Sequence, residues 1–230
     1  MNFTNVESMP VHCEHIFVDP HGNPIQSKTK WKYLGAHIAA DGSIDSELGQ
    51  KLGIAACDFK KLQQVWSHSK LSRQFKFQIY IACIVQKLLY GLEGAWVNTA
   101  GKRKLDGFHA DCCRKIIRVS SPHISRVTNK YVLAQCGTMP ISYILLKRQL
   151  HFFGQLARRT EDDPVRKFAF QPGSCKQPHL AAPRKRGRPR LEWITIMHKH
   201  AAEVSKPSTL GDIIYDKEKW HAAVHSYCTT

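Results

Sequence analysis

Residues 141–158 have the sequence ISYILLKRQLHFFGQLAR, and this stretch decides the fold. Its hydrophobic side chains recur at steps of three and four residues, which is the period of an α-helix. They form two stripes, one of Ile141, Leu145, Phe152 and Leu156 and one of Leu146, Leu150 and Phe153. A helix that is apolar on two sides must pack against neighbours on both. The stretch therefore predicts the central helix of a bundle, with Lys147, His151 and Arg158 on its narrow remaining face.

Helical periodicity extends along the chain on either side of this central helix. Further helices are predicted at residues 43–66, 72–89, 102–119, 128–137, 191–204 and 217–227. Ser43, Ser72, Thr128 and Asp216 stand at the start of four of them, and short hydroxyl or carboxylate side chains are the preferred N-caps. Most of the chain is therefore expected to be helical.

The first forty residues have a different pattern. Two extended stretches, Ile16–Val18 and Trp31–Ile38, are separated by the turn-rich residues 19–24, and Asp41-Gly42 forms a second turn. The predicted fold class is thus mainly α, a helical bundle preceded by a short β-hairpin. The predicted segments are the hairpin at 1–40, the bundle at 41–160, a basic Pro/Gly-rich linker at 161–190 and a C-terminal helical segment at 191–230.

Positive charge is concentrated in one part of the chain. Lys and Arg number 34 against 18 Asp and Glu, a net charge of +16, and residues 101–190 alone hold 20 basic and 5 acidic side chains. A field localised in this way indicates a polyanionic partner, of which nucleic acid is the simplest.

Several classes of protein are disfavoured by the sequence. No apolar run is long enough to cross a bilayer, and the first residues lack the pattern of a secretory signal. We therefore expect no membrane partner, an intracellular location in nucleus or cytoplasm, and free thiols at the eight cysteines. The glycine loops and nucleophile motifs of common enzymes are missing, so no cofactor and no catalytic residue are expected.

Three small groups of residues have the chemistry of sites, but their context favours simpler roles. Asp162-Asp163 could bind Mg²⁺, but an adjacent proline predicts a solvated turn that ends a helix. Two thiol and imidazole pairs could share a zinc ion, although their spacing is loose: Cys13 with His15, and Cys175 with His179. Cys112-Cys113 is expected to supply one core thiol and one boundary thiol rather than a redox pair.

The candidate binding residues are basic. On the helix at 102–119, the side opposite its apolar face is expected to present several cations. In the linker, Arg186-Gly187-Arg188-Pro189 has the form of an AT-hook, whose slim backbone lets arginines enter an A·T-rich minor groove. The full set of candidates is Lys102, Arg103, Lys104, Arg114, Arg118, Lys147, Arg158, Arg184, Lys185, Arg186, Arg188 and Arg190.

The order of several short segments resembles the region downstream of the catalytic palm in reverse transcriptases of non-LTR (LINE-type) retrotransposons. WKYLGAHIAADG at 31–42 is similar to the strand and turn that close the palm, and LLYGLE at 88–93 is similar to the end of a thumb helix. Other similar segments are VTN at 127–129, LLKRQL at 145–150, FGQLAR at 153–158, RGRPRLEW at 186–193 and DKEKW at 216–220. The resemblance covers about residues 25 to 228.

The resemblance implies a thumb-like bundle that holds a template–primer duplex by its sugar-phosphate backbone. The partner would be an RNA/DNA duplex or DNA, together with an upstream polypeptide that carries the palm and fingers. The paired aspartates of the palm would lie upstream of residue 1 and have no counterpart here, so Mg²⁺ is expected only with that missing palm. An alternative is a stand-alone AT-hook protein that binds DNA or chromatin.

Overall fold

The computed structural model describes residues 6–10, 16–33, 36–40, 42–178 and 192–229. These residues are mostly helical with a few short strands, which confirms the mainly α class. The chain forms two compact units, Met1–Leu88 and Leu89–Thr230. Their boundary lies within the segment 41–160 that the sequence predicts as one bundle. The thumb-like architecture implied by the resemblance stays a prediction.

The first unit begins with two small pairs of strands. β1 (Glu7–Ser8) pairs in parallel with β2 (Gln26–Ser27). β3 (Lys30–Tyr33) pairs antiparallel with β4 (Ala36–Ala39), with Trp31 opposite Ile38. Both strands of this second pair come largely from the stretch 31–38 that the sequence predicts as one extended segment, and Val18 forms an isolated bridge with Pro24. A hairpin is present, but the predicted pairing of residues 16–18 with 31–38 is wrong.

Helices make up the rest of the first unit. They are α1 (Asp45–Ser67), α2 (Arg73–Tyr80), a π-helical segment (Ile81–Val85) and α3 (Gln86–Leu89). Phe59 of α1 lies edge-on to Trp66 at 5.8 Å and to Tyr80 at 5.6 Å between ring centroids. Such pairs are favourable because the positive ring edge meets the negative ring face. This aromatic group holds α1 against α2.

The buried face of α2 differs from the one that hydrophobic periodicity favours. Phe75 and Cys83 are exposed, whereas Tyr80 is fully buried and Lys76 is buried beside it. The Lys76 ammonium donates a hydrogen bond to the backbone carbonyl of Trp66 at 3.2 Å. Because this carbonyl satisfies the charged end, a lysine can occupy a face that the sequence would reserve for apolar side chains.

The second unit consists of helices packed around one central helix. In chain order they are α4 (Thr99–Ile117), α5 (Pro122–Ser125), α6 (Asn129–Gln135), α7 (Ile141–Ala157), α8 (Pro164–Ala169), α9 (Trp193–Ser205), α10 (Leu210–Ile214) and α11 (Lys217–Thr229). α7 packs against α4, α8, α9 and α11, so its prediction as a helix buried on two sides is confirmed. Its Leu150, Phe153 and Leu156 are in the core with residues of α9 and α11.

The sequence did not predict α8 and α10. Asp163 caps α8, because its carboxylate accepts hydrogen bonds from the backbone N–H groups of Val165 and Arg166. Pro164 occupies the first turn of this helix, where a missing N–H costs nothing. The segment 161–190, predicted as a linker, therefore begins with a helix, and Phe170 at its end is buried in the core.

The packing of α7 against α11 depends on two residues. Trp220 of α11 is fully buried, and its indole N–H donates a hydrogen bond to the Leu150 carbonyl at 2.9 Å. Gly154 leaves the space that the indole fills, since a Cβ atom there would lie 2.3 Å from Trp220 Nε1. This close approach brings the narrow polar face of α7 next to the first turns of α11.

Candidate nucleic-acid interface

The basic residues at the start of α4 differ in their surroundings. Arg103 and Lys104 are exposed, while Lys102 is half-buried with its ammonium 5.2 Å from the centroid of the Trp96 ring. Burial lowers the pKa of Lys102, and Asp106 partly opposes this effect. All three lysine and arginine side chains lie near the positive end of the helix dipole, where cations are unfavourable without an anionic partner.

Arg114 is not part of the surface, contrary to the prediction that it faces phosphate. Its side chain is only 2% exposed. The guanidinium donates hydrogen bonds to the carbonyl of Val127 at 2.7 Å and to the Asn129 side-chain oxygen at 2.8 Å, with a longer one to the Ser120 carbonyl at 3.3 Å. The loop after α4 offers carbonyls that no helix satisfies, and the arginine fork pairs with them. Arg114 is therefore a structural residue.

Arg118 lies at the opposite end of α4 from Lys104. It is exposed and takes the left-handed conformation that ends the helix, with φ +61°. Fourteen residues at the helical rise separate it from Lys104 by about 21 Å along the axis. The cations of α4 are thus distributed along the helix rather than gathered at one place.

A compact group of basic side chains lies where α7 meets α11. Lys147, His151 and Arg158 come from α7 and its C-terminal cap, and Lys217 and His221 come from α11. We call these five residues the α7–α11 cluster. The rings of His151 and His221 are in contact, with centroids 4.2 Å apart and planes tilted by 50°, and Arg158 donates a hydrogen bond to the Ile214 carbonyl at 2.7 Å.

Burial and neighbouring cations together lower the pKa values of both histidines. The pKa of His151 falls from 6.5 to about 4, first through burial and then through His221, Lys147 and Arg158. The pKa of His221 is lowered by burial and by Arg158, Lys217 and Lys147. Nearby cations disfavour the protonated ring, and within the described ranges no carboxylate offsets them.

Two ring nitrogens of the cluster are buried without a hydrogen-bond partner in the part of the chain that the structure describes. They are Nδ1 of His151 and Nε2 of His221. Lys147 and Lys217 likewise form no ion pair with any carboxylate among the described residues. By contrast, Lys219 lies two residues from Lys217 and its ammonium is 3.4 Å from a carboxylate oxygen of Asp216. Lys147 and Lys217 therefore have unused capacity for an anion, while the two ring nitrogens are buried beneath the surface.

The structure brings some of the predicted residues together and separates others. Lys147 and Arg158 share the α7–α11 cluster, whereas Lys102, Arg103, Lys104 and Arg118 belong to α4. The AT-hook candidates lie outside the described residues: Arg184, Lys185, Arg186, Arg188 and Arg190.

Sequence analysis missed Lys217 and His221 as partners of α7. Their four-residue spacing places them on one face of α11, beside the position of Trp220. This spacing is the feature of the sequence that could have identified the pair as one surface. What the sequence does not reveal is which face of α7 receives α11.

The other candidate sites have structural roles where they are described. Asp163 caps α8, and Asp162 is a surface residue 3.5 Å from Lys167. Cys112 and Cys113 are both buried, so the prediction of one boundary thiol is wrong, and burial raises the pKa of Cys113 well above its usual range. For the zinc hypothesis, Cys13, His15 and His179 lie outside the described residues. Within the described ranges, no three His, Cys, Asp or Glu side chains are grouped as metal ligands.

None of the helices in the described ranges combines the length and the apolar character that a membrane span needs. Comparisons of the chain with protein-family models, with curated proteins and with solved structures give no match. The functional inference therefore depends on the residues themselves.

Proposed function

We propose that the protein binds nucleic acid through the sugar-phosphate backbone, using the α7–α11 cluster of its second unit. In this proposal it corresponds to the thumb and tail of a non-LTR retrotransposon reverse transcriptase and has no polymerase activity of its own. The partner is an RNA/DNA duplex or DNA, with a palm-and-fingers polypeptide as a second partner. The segmental resemblance and the excess of positive charge at 101–190 support this assignment.

The observation that carries the proposal is a group of five basic side chains from two helices without a carboxylate partner among the described residues. Some surface lysines sit beside carboxylates, as Lys206 does with Glu203 at 2.9 Å, whereas the cluster brings its cations together from two helices. Placing like charges together costs free energy through mutual repulsion. A bound phosphate removes that cost and gains charge-assisted hydrogen bonds.

The residues of the cluster differ in what they offer a phosphate. Lys147 and Lys217 contribute ammonium groups that can turn toward a backbone oxygen. Arg158 uses one nitrogen on the Ile214 carbonyl and keeps its remaining donors for a ligand. On α4, Arg103 and Lys104 are exposed and would extend the contact. Contacts of this kind fix the position of a duplex without distinguishing its sequence.

Salt dependence tests this function. We expect the full chain to bind a labelled oligo(rA)·oligo(dT) hybrid with a slope of log affinity against log salt near −5, if about six phosphates are neutralised. Fluorescence anisotropy over a range of salt concentrations measures the slope. A flat response would overturn the proposal.

A matched pair of double variants tests the cluster. Lys147→Ala with Lys217→Ala should reduce the magnitude of the slope by about 2, since each phosphate contact contributes about 1. Lys206→Ala with Lys219→Ala removes the same charge from lysines that already have carboxylate partners and should change the slope little. Equal losses in the two double variants would count against the cluster.

The Arg186-Gly187-Arg188-Pro189 motif favours a second candidate, a stand-alone AT-hook protein that binds DNA or chromatin. This function requires a preference for A·T-rich duplex that disappears when Arg186 and Arg188 become Ala. Competition between A·T-rich and G·C-rich duplexes distinguishes the two, because backbone binding predicts little preference. Under our proposal, the linker arginines add a second, sequence-independent contact.

A further inference from the structure

The two histidines of the α7–α11 cluster are an unusual choice for a binding surface. At 4.2 Å between centroids, their tilted rings contact each other, and three permanent cations are near enough to lower their pKa values. Lysine or arginine at these positions would supply charge at every pH. Histidine supplies charge only when its surroundings favour the proton.

The groups that face the pair are all cationic or neutral. The cations are Lys147 and Arg158 from α7 and Lys217 from α11, and the neutral group facing His151 is the ring of His221. The other helices packed on α7 and α11 are α4, α8, α9 and α10, and none of their described charged groups shifts either ring. Both rings are thus kept neutral by burial and by positive neighbours, and an anion would remove the second cause.

We propose that phosphate binding at the α7–α11 cluster takes up a proton on the His151–His221 pair, so that the imidazolium becomes part of the phosphate site. This inference rests on the proposed function and specifies the chemistry of its site. A phosphate backbone held by the cations near the pair favours protonation, and protonation in turn favours the phosphate. The two effects are equal by thermodynamic linkage.

The pair is expected to gain one proton rather than two. Two imidazolium rings whose centroids are 4.2 Å apart would repel each other, so protonation of one ring disfavours protonation of the other. The apparent pKa is therefore a property of the pair and not of either ring. Binding should tighten by up to about tenfold for each pH unit below neutrality, the limit for uptake of one proton.

Affinity as a function of pH is the first measurement. The full chain is titrated with the oligo(rA)·oligo(dT) hybrid at constant ionic strength between pH 7.5 and pH 4.5, and we expect affinity to rise mainly below about pH 6.5, by up to about tenfold per unit. Calorimetry of the same binding in two buffers of different ionisation enthalpy counts the protons directly. It needs no variant, so the test does not depend on a substitution being tolerated.

Single variants locate the proton. His221→Gln should lose most of the pH dependence and most of the proton uptake, with circular dichroism at pH 7.5 as the check on folding. His225→Gln changes an exposed histidine of the same helix and should keep both. This control also accounts for the general rise in positive charge as histidines elsewhere protonate.

Each outcome separates this inference from the proposed function. Salt-dependent binding with no proton uptake overturns the inference and leaves the proposed function intact. Proton uptake that survives in His221→Gln also overturns it, because the proton then goes elsewhere. Absence of salt-dependent binding at every pH overturns both.

Discussion

Arg114 and Lys147 have similar positions in their helices by sequence, yet the structure uses them differently. Each stands on the side of an amphipathic helix opposite an apolar stripe. Arg114 is directed into the protein and donates to the loop after α4, whereas Lys147 stays half-buried beside two histidines and a second lysine. The difference shows that a count of basic residues overstates the binding surface, because unsatisfied backbone carbonyls compete with a ligand for each arginine.

The same competition explains why a second arginine of this unit is buried. Arg166 is buried and donates to the Ala157 carbonyl at 2.6 Å, and it also pairs with the Glu161 carboxylate. It therefore joins the end of α7 to α8. Cations available to a phosphate are those such as Lys147 and Lys217, for which the described residues provide no anion.

The largest effect is expected from removing the inward arginine. Arg114→Met should lower the free energy of unfolding by about 3 kcal/mol, since hydrogen bonds to a charged group contribute about 1.5–3 kcal/mol each. Urea denaturation measures the change. Lys104→Met, at an exposed position of the same helix, should stay within about 0.5 kcal/mol of the unmodified protein. Equal stability of the two variants would show that Arg114 is not structural.

The next effect concerns the contact that forms the α7–α11 cluster. Gly154→Ala places a methyl group 2.3 Å from Trp220 Nε1, so the indole must move. Overpacking of this kind costs about 1–3 kcal/mol. We expect reduced stability and weaker binding of the oligo(rA)·oligo(dT) hybrid, because the histidines and lysines of the two helices move apart.

Gly107→Ala is the matched control for that substitution. Gly107 is also inside a helix, and a Cβ atom there has no neighbour within 4 Å. Alanine should stabilise α4 by about 0.8–1 kcal/mol through its higher helix propensity. If both glycine variants lowered stability alike, the space at Gly154 would not be the cause.

The sequence predicted the fold more fully than it predicted the site. Hydrophobic period located α1, α4, α6, α7, α9 and α11, because local spacing determines which sides of a helix are apolar. The predicted caps Ser72, Thr128 and Asp216 accept hydrogen bonds from the first turns of their helices. The prediction of Ser43 as a cap is wrong, because Ile44 is the N-cap of α1 and no side chain caps it.

The sequence missed α8, a helix of six residues with too few turns to show a period. For Arg114, the deciding factor was a loop carbonyl that becomes a neighbour only in the folded chain. Lys217 and His221 join the site because Trp220 packs against Gly154, and this contact between α7 and α11 forms only in the folded chain.

Two histidines whose pKa values are both lowered to about 4 provide a third test. Burial lowers the pKa of His109 to about 4, and the pKa of His151 is also about 4. In both cases the unfolded chain binds the proton more tightly than the folded one, so stability is lost as pH falls from about 6.5 toward 4. The loss is at most about 1.4 kcal/mol per pH unit for each proton.

Salt should affect the pKa values of His151 and His109 differently, because different causes lower them. Cations contribute to the low pKa of His151, and salt screens such interactions where solvent reaches them. For His109, burial is the main cause and salt has little effect on it. NMR titration of the imidazole signals at low and high salt measures both pKa values. We expect the His151 pKa to rise with salt and the His109 pKa to stay constant, and a rise of the same size at both sites would contradict the difference.

The smallest effect compares the two adjacent carboxylates. Asp163 accepts hydrogen bonds from two N–H groups of α8 and forms an ion pair with Arg159 at 2.9 Å, whereas Asp162 is fully exposed with a single lysine nearby. Asp163→Ala should therefore cost about 1 kcal/mol of unfolding free energy, the usual size for a lost N-cap. Asp162→Ala should stay within about 0.5 kcal/mol. Thermal unfolding with and without Mg²⁺ distinguishes a cap from a metal site, because carboxylates that shared an ion would lose Mg²⁺-dependent stability in either variant. A cap gives the unequal losses at every Mg²⁺ concentration, which is the result that follows from hydrogen bonds to backbone N–H groups.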